Sequence, residues 1–506
     1  MHSAKVLKIA HKRVFCSRVR TALCVDVRSD PCSFDDMPSP SSVANVGPSD
    51  PRVRAWNDRP VRRGDHVVYW AQATRRAEDN VALEYAIARA NELALPIVVY
   101  EALRPDYPFA SDRIHTFVLE CARDAAMRHA ARGIPHGFFL PKTRDEARGV
   151  AARVFERAAL IVSDENPSFL FPSQNAAAAK QAPCSYVTVD DTAVVPLSLI
   201  AAHESQARTI RGKLLAELPR WLVDVEELTP RHTPSRFEWP FHPFDPARGD
   251  LAAAVQMCAI DHEIKPIRDR PGGSVAACDR LRRFLAGSGR SYDTARDDAP
   301  ADATSGLSPY LHFGAISARR CLLSLRDAKV RPAARVAFIE QLLVRRGLAF
   351  NHAARCPEHA TYAAVPPWAR ASLSLHAKDP RPEACSLEDL ERGRSGDEVW
   401  NAAQHELVTR GRMHNVMRMF WGKRLLQLIG SPEHAFAFGT RMWDRYALDG
   451  RDPNTYAGVS WCFGLHDRPF PERAIFGSVR PMGRGALKKR FDLDEYVAST
   501  RATLFG

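Results

Sequence analysis

Apolar positions along the chain follow two patterns that change near residue 250. Between residues 65 and 200, short runs rich in β-branched and aromatic residues, such as HVVYW at 66–70, alternate with amphipathic stretches. Strands that alternate with helices predict a mostly parallel sheet covered on both faces. Beyond residue 250 helical spacing dominates and strand-like runs nearly vanish, so the second half is predicted to be all-helical.

These patterns divide the chain into four regions. Residues 1–60 are predicted to form a disordered, basic N-terminal extension, and residues 61–204 an α/β domain of Rossmann-like type. Residues 205–250 are rich in proline and are predicted to be a linker, and residues 251–506 form the helical domain. The first 25 residues carry basic but no acidic side chains, which is typical of a targeting peptide, although a disordered or misannotated start explains them equally well.

Charge and cysteine usage narrow the class of protein. The formal net charge is +12 and the isoelectric point about 9.3, which favours polyanionic partners, nucleic acid first. The 11 cysteines form no CxxC pair, as expected of reduced thiols inside a cell, so we expect a cytoplasmic protein. No apolar run reaches the roughly 18 residues needed to cross a bilayer, so no membrane domain is expected. Neither GxGxxG after the first strand nor GxxxxGK[ST] occurs, which removes the main support for the usual dinucleotide and P-loop sites.

Three loops in the helical half carry candidate chemistry. In SGLSPYLHFGAIS at 305–317, hydroxyls and backbone N–H groups precede a helix that Pro309 can start, which suits a phosphate as well as a simple helix cap. In DRYALDGRDPNTYAGVSW at 444–461, Asp449 is positioned to accept from Arg418, the alternative being a solvated turn. In GLHDRPFPERAIFG at 464–477, cations surround Phe470, as in a contact to a phosphate backbone and an unstacked base; scattered surface charge is the alternative.

Together these segments resemble the DNA photolyase/cryptochrome family, and in particular the class II cyclobutane pyrimidine dimer photolyases. The resemblance spans about residues 53–498 and is carried by motifs that include RAEDNVAL, ARTIRGKL, SGLSPYLHFG, GRMH, MRMFW, YALDGRDPN, GLHD and ERAIFG. It implies an N-terminal α/β antenna domain and a C-terminal helical domain that holds FAD. It also implies blue-light-driven electron transfer from reduced FAD to a pyrimidine dimer flipped out of DNA.

The resemblance assigns roles to individual positions. The FAD site is expected to comprise Tyr292, Ser305, Gly306, Leu307, Ser308, Arg418, Asp449 and Asn454. The DNA-facing positions are expected to be Arg296, Trp461, His466 and Arg473. Trp400 and Trp421 match the two inner members of a tryptophan relay that rereduces the flavin; core packing is the alternative for each. On one unbroken helix the two rings would lie roughly 30 Å apart, so we expect Gly411 to end one helix and allow a second to fold back.

Three departures from the family pattern fall in the reactive region. Gln341 replaces a glutamate that is thought to hydrogen-bond the dimer, and glutamine supplies neither an acid proton nor a charge. Gly347 and Phe350, in the same segment, also stand where the family has acidic residues. Trp443 replaces an asparagine that faces the flavin N5, and its indole is bulkier and can only donate. Leu428 replaces the outer relay tryptophan and cannot carry an electron hole.

These departures leave three hypotheses open. The first is a light-driven dimer photolyase with an adjusted site, acting as a monomer on UV-damaged DNA. The second is a photolyase-like flavoprotein that senses light with lost or weakened repair. The third is a nucleic-acid-binding protein that no longer holds flavin. The antenna pigment, a deazaflavin or none, stays undecided at this point.

Overall fold

A six-stranded sheet forms the centre of the α/β half. The structure is a computed structural model that describes residues 47–234 and 236–501, so the predicted targeting role of the first 25 residues lies outside the described residues. The strands are β1 Val53–Ala55, β2 His66–Ala71, β3 Ile97–Ala102, β4 His136–Phe139, β5 Ala158–Asp164 and β6 Ser185–Val189. Their order across the sheet is β1-β6-β5-β2-β3-β4, with β1 antiparallel to β6 and the other pairs parallel. The predicted mostly parallel sheet is confirmed.

Helices cover both faces of the sheet. Successive side chains of a strand point to opposite faces, so both faces carry apolar residues that the helices bury. The helices of this half are α1 Val81–Glu92, α2 Asp112–Ala131, α3 Val150–Phe155 and α4 Phe171–Gln181. Along β2, Val67 and Tyr69 pack in the apolar cluster that includes α1, whereas Val68 packs in the cluster on the opposite face with Phe155.

Two region boundaries differ from the sequence prediction. The structured chain begins before residue 60, because β1 at Val53–Ala55 adds an antiparallel edge to β6. The predicted linker contains a helix, α5 Ala207–Trp221, whose buried side chains Ile210, Leu214 and Leu218 recur every four residues. That periodicity outweighs Pro219, which lies in the last turn of the helix.

The second half is helical, as predicted. Its helices before the reactive region are α6 Leu251–Gln256, α7 Ser274–Ala286, α8 Tyr292–Ala295, α9 Ser308–His312, α10 Ala318–Asp327, α11 Pro332–Ile339 and α12 Arg346–Arg355. They are followed by α13 Pro367–Leu375, α14 Leu387–Glu391, α15 Glu398–Arg410, α16 Asn415–Leu428, α17 Pro432–Tyr446, α18 Pro453–Cys462, α19 Arg484–Leu487 and α20 Leu493–Arg501. No helix among the described residues is long and apolar enough to cross a membrane.

A π-helical segment interrupts the long helical run between α11 and α12. It spans Glu340–Arg345, and Glu340 accepts hydrogen bonds from Arg211 of α5 and from Arg345. An extra residue per turn shifts the following side chains around the helix axis, a distortion often found at functional sites. Here it places Gln341 and Arg345 on the wall of the cavity described next.

Candidate functional site

The two predicted relay tryptophans lie against each other. Gly411 has a φ of 60° and ends α15, so the chain turns back and α16 begins at Asn415. The ring centroids of Trp400 and Trp421 are 5.7 Å apart and their planes differ by 11°. Trp400 Nε1 donates to the Trp421 carbonyl at 3.1 Å, and Trp421 Nε1 donates to Gln404 Oε1 at 3.0 Å. The predicted helix break and the contact between the rings are confirmed.

A cavity of about 480 Å³ lies beside Trp421. This volume falls within the range of small-molecule and cofactor sites, roughly 300–1,000 Å³. The predicted site residues on its wall are Arg296, Gln341, Arg418, Trp421, Trp443, Asn454, Trp461 and His466. Positions assigned to the flavin and positions assigned to DNA therefore share one cavity.

Arg418 is fixed from three sides. Its Nη2 donates to both carboxylate oxygens of Asp449, at 2.8 and 3.1 Å, as the sequence predicted. Its Nε donates to the Met413 carbonyl at 2.9 Å, and its guanidinium carbon lies 4.2 Å from the ring centroid of Trp443. A planar cation held in this way presents a preorganised donor to the cavity.

Trp443 extends the row of indoles to the cavity wall. Its ring centroid lies 6.1 Å from that of Trp421, with the planes nearly perpendicular at 80°. Trp443 is 3% exposed and Trp400 0% exposed, so three adjacent indoles lead from the wall into the core. Leu428, at the end of α16, is a fully buried apolar side chain.

The opposite wall holds Trp461 between charged groups. Trp461 Nε1 donates to Asp467 Oδ1 at 3.2 Å, and the Arg345 guanidinium carbon lies 5.4 Å from the Trp461 ring centroid. Arg345 also pairs with Glu340, so its position follows from the π-helical segment. Gln341 of the same segment also lines the cavity.

Lys423 is a wall residue that the sequence reasoning missed. It is 3% exposed, donates to the Cys462 carbonyl at 3.3 Å and lies 4.0 Å from Asp467 Oδ2. Burial lowers its pKa, and the Asp467 carboxylate opposes that shift. The available signal was a lysine within the largely apolar run MFWGKRLLQL, where burial of a charge is costly without a partner.

The remaining predicted positions lie outside the wall of this cavity in the described part of the chain. Arg280 Nε donates to the Ser305 carbonyl at 2.8 Å, and this loop leads through Gly306 and Leu307 into the five-residue helix α9, which begins at Ser308. Tyr292 packs against Phe284 and Phe338. Arg473 exchanges backbone hydrogen bonds with Gly477. The roles assigned to these residues stay predictions, as do those of Trp400 and Asp449, which act on the wall through Trp421 and Arg418.

The wall fits a planar cofactor with a polar edge, such as the predicted FAD. The indoles of Trp421 and Trp443 supply flat apolar surface, and Arg418 supplies donors. The Asn454 side chain and backbone N–H groups both donate to Asp452 Oδ1, at 2.7 and 2.9 Å, which leaves the Asn454 amide oxygen as an acceptor. Burial would raise the pKa of Asp452, but its hydrogen bond with His312 lowers it, so Asp452 stays ionised and orients Asn454.

Comparison with known proteins gives relatives along nearly the whole chain. A deoxyribodipyrimidine photo-lyase from Methanothermobacter thermautotrophicus is 35% identical over 90% of this chain and 98% of its own length. A protein of the same name from Oryza sativa subsp. japonica is also 35% identical, over 88% of this chain and 90% of its own. No family model matches the chain.

Solved structures share the fold at low sequence identity. A bacterial class III photolyase from Agrobacterium tumefaciens superposes with a TM-score of 0.64 at 17% identity, covering 86% of each chain. A cryptochrome from Synechocystis superposes with a TM-score of 0.60 at 16% identity, covering 81% of this chain and 84% of its own. Both are matches to the α/β and helical halves together.

Proposed function

Because the chain belongs to the DNA photolyase/cryptochrome family, we propose that it is an FAD-dependent, blue-light-driven photolyase that splits cyclobutane pyrimidine dimers in DNA. The motifs further favour the class II type. One observation carries the proposal: a single cavity brings Arg418 and Asn454, assigned to the flavin, together with Trp461 and His466, assigned to DNA. A cofactor and a flipped base must meet in one place for electron transfer, and a cavity shared by both sets of residues supports this proposal.

In this proposal, the chain's own residues bind and orient the cofactor and the flipped base, and they exclude water from the cavity. FAD, when bound, supplies the light absorption and the transferable electron. Arg418, fixed by Asp449, would hold the polar edge of the cofactor as a donor, and Asn454, fixed by Asp452, would hold it as an acceptor. Trp461, held by Asp467 and Arg345, offers an aromatic surface to the flipped base. Arg296 adds positive charge to the same wall, and His466, a position assigned to DNA, lies on it as well.

A repair assay tests this function. The purified chain is incubated without oxygen with a reductant and an oligonucleotide that contains a thymine dimer, and is illuminated with blue light. We expect recovery of thymine absorbance in the light and none in a matched dark sample. A yellow protein that restores no absorbance would reject repair, and a colourless protein that takes up no added FAD would reject the flavin site as well.

Gln341→Glu provides a sharper test of the site. The carboxyl would supply the charged hydrogen bond that the glutamine amide cannot, so the repair yield should rise about tenfold, equivalent to about 1.4 kcal/mol. Gln206→Glu, a matched change on the chain just before α5 and outside the cavity wall, should leave the yield unchanged. Equal yields for Gln341→Glu and the parent protein would show that this position does not face the dimer.

The position of Trp443 favours a light sensor as the second candidate function. Its indole lines the cavity and lies 6.1 Å from Trp421, so it is placed to give an electron to the excited cofactor before a substrate receives one. Trp443→Phe should therefore lengthen the fluorescence lifetime of bound flavin, while Trp368→Phe, outside the cavity wall, should not. A parent protein without repair, combined with a longer lifetime in Trp443→Phe, would support the sensor.

A further inference from the structure

The turn at residues 472–478, which carries the exposed Arg473, has a strained backbone. Arg473 and Gly477 exchange backbone hydrogen bonds, from Arg473 N to Gly477 O at 3.0 Å and from Gly477 N to Arg473 O at 2.8 Å. Between them, Ile475 has a φ of 70°, which a β-branched residue rarely adopts. Strain of this kind persists only where the surroundings impose it, often at functional sites, so contacts from other segments must hold the 472–478 turn.

Side chains of α13 and of the residues just after it bind the backbone of this turn. Asp379 Oδ2 accepts a hydrogen bond from the N–H of the strained Ile475 at 2.7 Å. Ser372 Oγ of α13 accepts one from the Ser478 N–H at 2.8 Å. The C-terminal end of α13 and the residues that follow it therefore form the support on which the 472–478 turn lies.

His376, the residue after α13, lies between two carboxylates. Its Nδ1 is 2.6 Å from Asp379 Oδ2, and its Nε2 is 2.8 Å from Oε1 of Glu472, the first residue of the 472–478 turn. An ionised carboxylate only accepts a hydrogen bond, and a neutral imidazole carries a single N–H. Both contacts are therefore hydrogen bonds only when the ring is an imidazolium, which makes His376 a charged bridge from α13 to the turn.

The surroundings of His376 favour its charged form and fix its backbone. Hydrogen bonds with Glu472 and then with Asp379 raise the pKa of His376 above its ordinary value of 6.5. The C-terminal end of α13, with its free carbonyls, also favours a cation. Arg381 is the nearby cation: its Nη2 donates to the His376 carbonyl at 3.3 Å and its Nε to the Leu426 carbonyl of α16 at 2.9 Å. The base of the bridge is therefore attached to the helical core.

We propose that the imidazolium of His376 positions the 472–478 turn for DNA binding and couples DNA affinity to its own proton. This inference rests on the proposed function, in which Arg473 faces DNA. When His376 loses its proton to solvent, one of its two hydrogen bonds is lost, and the charge of Glu472 is no longer neutralised beside Arg473, where it repels phosphates. DNA affinity is therefore full below the pKa of His376 and falls as the pH rises through that value.

The pH dependence of DNA binding tests the bridge. Binding of a dimer-containing oligonucleotide in the dark is measured by fluorescence anisotropy between about pH 6 and 9. Glu472 is largely exposed, so solvent screens the ion pair, and the affinity of the parent protein should fall about three- to tenfold over this range. His376→Gln keeps a donor but no charge, so its affinity should be low throughout and should lack this fall. His376→Arg keeps charge and donors at every pH and should stay close to the high value.

Two measurements without DNA or flavin test the bridge itself. In ¹⁵N-labelled histidine spectra of the parent protein, both ring nitrogens of His376 should be protonated at neutral pH. Amide hydrogen exchange of Ile475 and Ser478 should be faster in His376→Gln than in the parent protein, because the turn loses its charged attachment. His262→Gln is the matched control: Nδ1 of His262 also lies 2.6 Å from a carboxylate, that of Asp112 in α2, and this variant should change neither the amide exchange nor the pH dependence of DNA binding.

These results separate failure of the bridge from failure of the proposed function. A parent protein that binds and repairs dimers, with His376→Gln equal to it in affinity and pH dependence, would overturn the positioning role alone. A neutral His376 ring at neutral pH, or unchanged amide exchange in His376→Gln, would overturn the bridge whatever the DNA result. A parent protein that binds no dimer-containing DNA at any pH would overturn the proposed function and the role of the bridge in DNA binding, and the measurements without DNA would still decide whether the bridge exists.

Discussion

The α/β half and the helical half differ in what occupies the position where each could bind a ligand. In the sheet, strand order reverses between β2 and β5, and such points usually bind ligands at the carboxyl ends of the strands. Here Asp164 fills that place: one carboxylate oxygen accepts the N–H groups of Gln72, Ala73 and Thr74 at 2.8, 2.8 and 3.0 Å, and the other accepts from Tyr69 at 2.8 Å. The helical half instead leaves a cavity of about 480 Å³ lined with donors.

The difference lies in whether the chain itself supplies the group that the donors of a site bind. A turn of successive N–H groups attracts an anion, and in the sheet the chain supplies that anion itself. In the helical half, Arg418 and Lys423 are each paired with one carboxylate, and both line the cavity. The α/β half is therefore closed at its switch point, and the proposed chemistry lies in the helical half.

Asp164→Ala should destabilise the α/β half, and this is the largest effect that we expect. It leaves three backbone N–H groups and the Tyr69 hydroxyl, all buried, without their acceptor, and each such loss costs about 1–3 kcal/mol. We expect the free energy of unfolding to fall by about 3–5 kcal/mol, measured by urea titration. Asp164→Asn keeps one acceptor oxygen and should cost less. A loss below about 1 kcal/mol for Asp164→Ala would mean that the turn is held by other contacts.

Arg418→Met should weaken flavin binding in the helical half. It removes the donor fixed by Asp449 and leaves that carboxylate unpaired, so flavin affinity should fall by about 10- to 100-fold, the equivalent of a charged hydrogen bond. Titration of the apoprotein with FAD, followed by fluorescence, measures it. Arg412→Met is the matched control, because Arg412 also makes a bidentate pair, with Asp302, but lies outside the cavity wall. Similar losses in both variants would point to a general loss of stability.

Sequence reasoning predicted the local features of the site and missed the long-range ones. The period of the apolar positions and the freedom of Gly411 predicted the paired helices and the contact of Trp400 with Trp421. The motif spacing predicted the Arg418–Asp449 pair. Each of these follows from rules that act over a few turns or from the family resemblance.

The missed features join residues far apart in sequence. Asp164 reaches a turn about 90 residues earlier, and His203 meets His352 across 149 residues. No periodicity or motif marks such pairs, because a single polar residue in a buried segment does not reveal its partner. The helix Ala207–Trp221 was missed for a different reason: the prolines of residues 205–250 outweighed a regular apolar spacing in the prediction.

The two halves can also be compared by how the free energy of unfolding changes in acid, and this is the smallest effect that we expect. Burial lowers the pKa of two histidines to about 3, below the unfolded value of 6.5. They are His115, which lies in α2 and stacks on Tyr107, and His352 of α12. Below pH 6.5 the unfolded chain therefore takes up protons that the folded chain does not, and stability is lost as the pH falls. His352→Phe and His115→Phe should each make the loss between about pH 6 and 4 shallower by about 1.4 kcal/mol per pH unit. Urea titrations at several pH values measure this slope, with His434→Ala as the control that should leave it unchanged; an unchanged slope in His352→Phe would show that its ring is protonated in the folded protein.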